Sequence, residues 1–501
     1  MWRAVDRACS NRSYIKEALY KMKWRSKQTN LPPSPPKLPL IGNFHQLSKR
    51  IHHSLKDLSQ KYGPIMLLHF GQVPVVVVSS SSLAEEILKT HDAVFSNRSP
   101  MTTAKILMYG CVDIGFAPYN ESRLLRKICV MELLSVRTVK TFKTAREEEV
   151  ACLIERISRS SSKGASVNLS AMSRILTVHI IFRCALGQKL SNVDGQNRVA
   201  DLPAELMSGL SSFSFADSIP LLGWLDIVTG LITRLKKTAR KLDSFLEQVI
   251  EEHIIQSSSS NDLDKAKDFV NVLLQIQEED NKISMKLTRD KIKALILDMF
   301  VAGAETPSKV IEWAMSELIR NPKIMKKAQE EVRRVVREKG KLKLDEEDIQ
   351  EMVYLKCVIK EALRLHPPTP ILERESSQSV NIKGYLVPPK TRVIVNAWTI
   401  QTDPDTWSFA EEFIPERFIG SKFDLKGLDF EYFPFGSGRR MCPGISFASA
   451  VVELVLANLL FWFDWQMPGG ADEKGLDMTD SFQTLGAREC PLQLVAAPHF
   501  N

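Results

Sequence analysis

No two cysteines in this chain are spaced as C-x-x-C, which removes the usual zinc and thioredoxin-type patterns. The eight cysteines stand at 9, 111, 129, 152, 184, 357, 442 and 490. They are too scattered for a disulfide framework and fit a reducing compartment better. The first 30 residues contain no apolar run of signal-peptide length, and none near the roughly 20 residues that span a bilayer. No internal repeat is present. Excess charge of one sign is small: 67 Lys plus Arg against 59 Asp plus Glu leave +8. That excess permits an anionic partner face or a membrane surface, and requires no nucleic acid.

What is there divides the chain into three parts. Residues 1–30 form a basic tail without an anchor, carrying "KMKWRSK". Residues 31–39, "LPPSPPKLP", have five prolines in nine and read as a stiff hinge. Residues 40–501 read as one domain. The whole chain's 44% hydrophobic content is ample for a large core. "PIMLLHF" and "VPVVVVS", within 64–79, predict a hairpin. Further strands are expected in 384–396 and 491–497, and a serine-rich surface loop over 256–268. The rest has helical periodicity. Strands so far apart in sequence imply an interleaved, mainly α domain with a minor β region.

Two helices matter most. Thr288 can cap one that runs to Arg320 and ends at Asn321-Pro322. At 1.5 Å per residue it is roughly 50 Å long, enough to cross the domain. Its middle, "ALILDMFVAGA", is apolar nearly all round and therefore buried. The second is expected to start at Pro443, with Cys442 as its N-cap.

Cys442 lies in "PFGSGRRMCPG", a loop of three glycines and two arginines. A helix N-terminus, Arg439 and Arg440 all favour a thiolate. Gly436, Gly438 and Gly444 let the backbone approach something large and flat. One thiolate without partner ligands cannot close a zinc site, but it can be the single protein ligand of a haem iron. In the long helix, "AGAETP" sets Glu305 beside Thr306. Reduced dioxygen needs two protons before its O–O bond breaks, and a carboxyl next to a hydroxyl can relay them through water. Gly303 leaves room over a cofactor face. Pro307 removes the N–H that would bond the Gly303 carbonyl, predicting a kink there.

"FGSGRRMCPG" resembles the haem signature F-x-x-G-x-R-x-C-x-G of the cytochrome P-450 superfamily, with Phe435, Gly438, Arg440, Cys442 and Gly444 at the defined positions. The resemblance runs from the hinge to the C-terminus and is nearest to plant microsomal members. It implies a haem b monooxygenase with Cys442 on the iron, acting on an apolar terpenoid, alkaloid or phenolic. NADPH would supply electrons through a cytochrome P-450 reductase docking around Arg439 and Lys127. "AGAETP" resembles the family's oxygen-activating motif, except that Pro307 stands where Thr or Ser is usual. Glu361, Arg364 and Arg417 match its structural E-R-R network. Arg440, Arg374 and Arg126 are the implied partners of the haem propionates. Glu373 replaces a usual Pro, and Ser122 stands where a Trp belongs, implying looser haem retention. Substrate contacts are implied in 101–117, 205–217, 295–306, 368–373 and 482–487. The hinge resembles the segment after a membrane anchor, implying the cytosolic face of the endoplasmic reticulum. Two rivals are a reductase-independent haem isomerase or dehydratase, and a haem-binding protein with little turnover.

Overall fold

The computed structural model describes residues 30–189, 201–259, 268–278, 286–470, 472–482 and 486–500. The basic tail, apart from Asn30, lies outside them. Seven helices position the site: α1 Ile51–Tyr62, α2 Tyr119–Glu132, α3 Leu169–Leu186, α4 Leu202–Leu210, α5 Arg289–Arg320, α6 Val353–Leu365 and α7 Ile445–Trp462. The strands are β1 Ile65–Phe70, β2 Val73–Val78, β3 Val167–Asn168, β4 Leu372–Glu375, β5 Val380–Ile382, β6 Tyr385–Val387, β7 Arg392–Val395, β8 Phe463–Gln466, β9 Asp480–Phe482, β10 Gly486–Arg488 and β11 Gln493–Pro498.

The expected hairpin is present, with Ile65 opposite Val78 and Phe70 opposite Val73. β2 then pairs parallel with β7, and β7 antiparallel with β4, giving the order β1-β2-β7-β4. A second sheet, β3-β11-β8, joins the middle of the chain to its end. The strand-rich part is therefore interleaved, as the sequence predicts. The proline segment is not a free spacer, because Pro33 O accepts from Leu67 N and docks it on β1. The serine-rich loop begins later than expected. The helix Leu231–Ser259 absorbs residues 256–259, and 260–267 lie outside the described residues. Serine weakens a helix only slightly, so the amphipathic pattern before it carries one more turn.

The core is built around α5. Thr288 caps it by accepting from Lys291 N, as expected. α3 packs along it: Phe182 stacks on Phe300 at 4.3 Å. α3 and α7 are both apolar enough to cross a membrane by length and composition, yet most of each is buried in this core. Gly303 explains the close approach of α3. A Cβ there would stand 2.8 Å from Ile181 Cδ1, so its missing side chain admits a neighbouring helix.

α5 runs unbroken through Pro307. Proline removes one helical hydrogen bond and crowds the carbonyl four residues back. Three hydroxyls donate to carbonyls around that point. Thr306 Oγ1 bonds Ala302 O (2.6 Å), Thr177 Oγ1 bonds Ala304 O (2.6 Å) and Ser308 Oγ bonds Glu305 O (2.8 Å).

Candidate active site

The cysteine loop closes on itself. Cys442 N donates to Phe435 O at 2.9 Å, and Gly444 N donates to Cys442 Sγ at 3.3 Å. The first helical bond of α7 runs from Ala448 N to Gly444 O, which makes Gly444 the N-cap. Cys442 and Pro443 thus precede the helix, whose N-cap falls two residues later than expected. Gly438 has φ +72°, and a Cβ there would meet Leu88 O at 2.4 Å. This glycine serves the close approach of its own chain. Burial pushes the Cys442 thiol up, against the opposing Gly444 N–H and the charge of Arg126. A bound cation would compensate that burial.

Arg440 is a hub. It donates to Ser96 O (2.8 Å), Ile114 O (2.8 Å), Ala117 O (2.5 Å) and Ser122 Oγ (2.6 Å). Ser122 in turn donates to Ile114 O at 2.9 Å. Ser122 is thus more than a missing indole: its small, buried side chain ties α2 to the cysteine loop. Arg440 spends most of its donors on the protein, leaving one N–H of five for an outside anion.

Other guanidiniums are less satisfied. Arg374, 2% exposed, donates to Glu373 O at 2.9 Å and to Ser437 O at 3.5 Å, while its Nε is buried without a partner among the described residues. Burial, then the charges of Arg98 and Arg440, push its pKa down to about 9. Arg98 Nε is also buried without a partner. Arg126, half-buried beside Cys442, makes no hydrogen bond or ion pair among the described residues. Buried cations need anions. The carboxylates felt here are Asp92 and Asp113. A group bringing two carboxylates and an iron atom fits this donor set.

On α5, Glu305 is buried and its Oε1 has no hydrogen-bond partner among the described residues. Its side chain reaches a polar cavity of about 910 Å³ between α3, α4 and α5, which Arg174, Glu205, Ser208 and Ser212 also line. Thr306 is half-buried, and Ala302, one turn earlier, is exposed. The acid and the alcohol therefore face different surroundings.

The E-R-R residues come together as predicted. Arg364 makes a two-pronged pair with Glu361 (2.8 Å each), and Arg417 Nε reaches Glu361 Oε1 at 2.9 Å. Arg364 also bonds Gln401 O, and Gln401 Oε1 accepts Phe433 N at the start of the cysteine loop.

Sequence reasoning missed Arg98, Asp113 and Asp298. Asp298 sits inside "ALILDMFVAGA", and an acid in an all-apolar stretch signals a buried partner. That partner is Asp113. Burial, then the Asp113 charge, raise the Asp298 pKa well above the ordinary carboxylate range, so the pair holds a proton. Asp298 Oδ2 accepts Ile114 N at 2.7 Å, while Ile114 O serves Arg440. The pair thereby ties α5 to the cysteine loop.

A buried helix with an acid–alcohol pair, tied through Ile114 to a cysteine loop with under-paired arginines about it, fits the haem-thiolate oxygenase class. The cytochrome P-450 family profile matches residues 32–489, and the chain belongs to that family. It is 46% identical to desmethylyatein synthase of Sinopodophyllum hexandrum over 94% of each chain. It is 44% identical to a phenylacetaldehyde oxime monooxygenase of Prunus mume over 95% of this chain and 90% of that one. It is 46% identical to norfluorocurarine oxidase of a Strychnos species over 93% and 92%. The protein is a plant-type P-450 monooxygenase, whose family uses haem iron, a redox partner and a small-molecule substrate.

The acid pair makes a pH prediction. Its raised pKa means that the folded chain binds more protons than the unfolded one above the ordinary aspartate range. That stability is full at low pH and is lost as pH rises through the raised value. Asp298→Asn can still accept Ile114 N and carries no titrating proton. Between about pH 5 and about pH 8 its melting temperature should fall less than that of the parent. Equal slopes would show that the pair does not share a proton.

Proposed function

We propose that Cys442 is the proximal ligand of haem b, and that Arg98, Arg126, Arg374 and the last N–H of Arg440 meet its propionates. The observation that carries this is a half-buried thiol beside Arg126, in a loop whose neighbouring Arg98 and Arg374 have buried nitrogens without partners among the described residues. Phe435, Gly438 and Gly444 shape the loop around it. When bound, haem iron activates dioxygen and supplies one of its atoms to a substrate C–H or C=C bond; the other leaves as water. Two electrons and two protons complete that balance.

The protons are the chain's task. Glu305 takes them from water in the polar cavity. Thr306 passes them on: its O–H is turned to Ala302 O, and its oxygen keeps lone pairs for a water. The electrons come from NADPH through a reductase docking on the exposed face with Arg439 and Lys127. The substrate is an apolar terpenoid, alkaloid or phenolic. It is met by 101–117, 205–217, 295–306, 368–373 and 482–487, of which 483–485 lie outside the described residues. Relatives named as a monooxygenase and an oxidase support oxygenation over isomerisation.

Membrane attachment, at the cytosolic face of the endoplasmic reticulum, is supported by one apolar face. Phe213, Leu221, Trp224, Ile227 and Val228 are exposed, and so are Leu38, Leu40 and Ile41. Phe44 packs against Phe213 with ring centroids 5.9 Å apart, so the two groups adjoin. Interfacial binding scales with buried apolar area. Trp224→Ser with Ile227→Ser and Val228→Ser should leave the haem spectrum intact and lower co-flotation with vesicles. Undiminished flotation would contradict this face as the contact.

Thr306→Val keeps shape and removes the hydroxyl. Haem and substrate binding should persist. NADPH consumption should continue, with more of it appearing as hydrogen peroxide. Loss of one positioned proton-transfer group costs about 100-fold or more in the assisted step. Pro307→Thr in the same background controls for the carbonyl that proline leaves without its helical donor. An unchanged product-to-NADPH ratio in both backgrounds would move the relay elsewhere.

A further inference from the structure

α1 and β9 bring together three side chains that no step above uses. His52 Nε2 lies 2.9 Å from Asp480 Oδ2, and His53 Nε2 lies 3.4 Å from Asp480 Oδ1. The three ligand atoms all fall within 4.8 Å of one another. Donor atoms bound about 2.0–2.1 Å from a tetrahedral zinc ion stand about 3.3 Å apart. The two spacings, one to each oxygen of the carboxylate, lie either side of that value. We propose that His52, His53 and Asp480 bind one divalent transition-metal ion of the zinc type, with water as the fourth ligand.

Successive residues on a helix point about 100° apart, so two adjacent imidazoles seldom converge on one atom group. Here they do because both rings rest on one indole. Trp398 lies 4.9 Å from the His52 ring and 4.1 Å from the His53 ring, centroid to centroid. Asn396 Nδ2 donates to His52 O at 2.9 Å and fixes the helix turn beneath them. Such outer contacts orient ligands before an ion arrives. His52 is 3% exposed and His53 33%, so the site has a closed inner side and an open outer one, where an ion can enter. Two nitrogens and one carboxylate suit zinc better than calcium or magnesium. The opposing charges are Arg50, whose guanidinium is 3.6 Å from Asp480 and 47% exposed, and Lys56, whose ammonium lies 5.0 Å from the Trp398 ring centroid. Arg50 is the one in contact with the carboxylate. It is free to swing away.

The ion would join two distant parts of the chain. β9 pairs with β10, and Gly486 at the start of β10 accepts Trp313 Nε1 from α5 at 2.8 Å and donates to Pro368 O at 2.9 Å. Zinc at Asp480 thus tethers α1 to the hairpin that borders the proposed substrate segments.

Equilibrium dialysis of the haem-loaded full chain against zinc, followed by metal analysis, tests this. The expected result is one saturable zinc per chain, with affinity reduced by about tenfold or more in His53→Ala and in Asp480→Asn. Asp480→Asn keeps the side-chain shape, and His53 is partly exposed, so both variants should fold. Zinc should also raise the melting temperature of the parent and not of either variant. Cys490→Ser, which removes an exposed thiol elsewhere, should bind zinc as the parent does. No saturable zinc, parent-strength binding in both variants, or loss in Cys490→Ser would overturn the site.

Discussion

The four hydrogen bonds of Arg440 tie the cysteine loop to everything around it. One guanidinium holds Ser96, Ile114 and Ala117 by their carbonyls and Ser122 by its hydroxyl. Ile114 is held from the other side by Asp298 on α5. The helix that carries the acid–alcohol pair and the loop that carries the thiol are therefore joined through a single residue between them. Truncating one partner of a buried charged network leaves the others unsatisfied, which costs more than the contact itself contributes. The E-R-R network supports the same loop from behind, through Gln401 and Phe433. Position at this site is set by buried polar contacts rather than by the apolar core.

The charge balance around the loop has a consequence for folding. Among the described residues Arg374 and Arg98 carry buried nitrogens without partners, and Arg126 stands beside the half-buried thiol of Cys442. A protein does not leave such groups unpaired unless another charge belongs there. An anionic, iron-bearing group would relieve both faults: its carboxylates meet the guanidiniums and its cation holds the sulfur as a thiolate. Binding to the folded state alone also stabilises that state by mass action.

Much of this was legible in the sequence. The hairpin, the long capped helix and the E-R-R triad follow from periodicity, capping residues and motif. The errors have physical causes. Motif spacing places Cys442 near a helix start, but the Gly444 carbonyl takes the first helical bond, so the N-cap falls two residues later. A glycine in a motif marks a close approach without saying to what. For Gly303 the neighbour is Ile181, and for Gly438 it is the Leu88 carbonyl. Ser122 reads as a loss until Arg440 is seen against it. Arg98 has no periodic or motif signal, whereas Asp298 announces itself as an acid in an apolar run. The convergence of His52 and His53 on Asp480 depends on residues more than 400 positions apart, which no local pattern reports.

The central claim is that the Cys442 sulfur is the haem ligand, and the absorption of the reduced, carbon monoxide-bound protein tests it most directly. Thiolate ligation shifts the Soret band of that complex well to the red of its position under a nitrogen ligand. The account predicts the red-shifted band in the freshly folded chain, and its replacement by the shorter-wavelength band in Cys442→His, with haem still bound. A short-wavelength band in the parent, or a red-shifted band that survives Cys442→Ala, would contradict it.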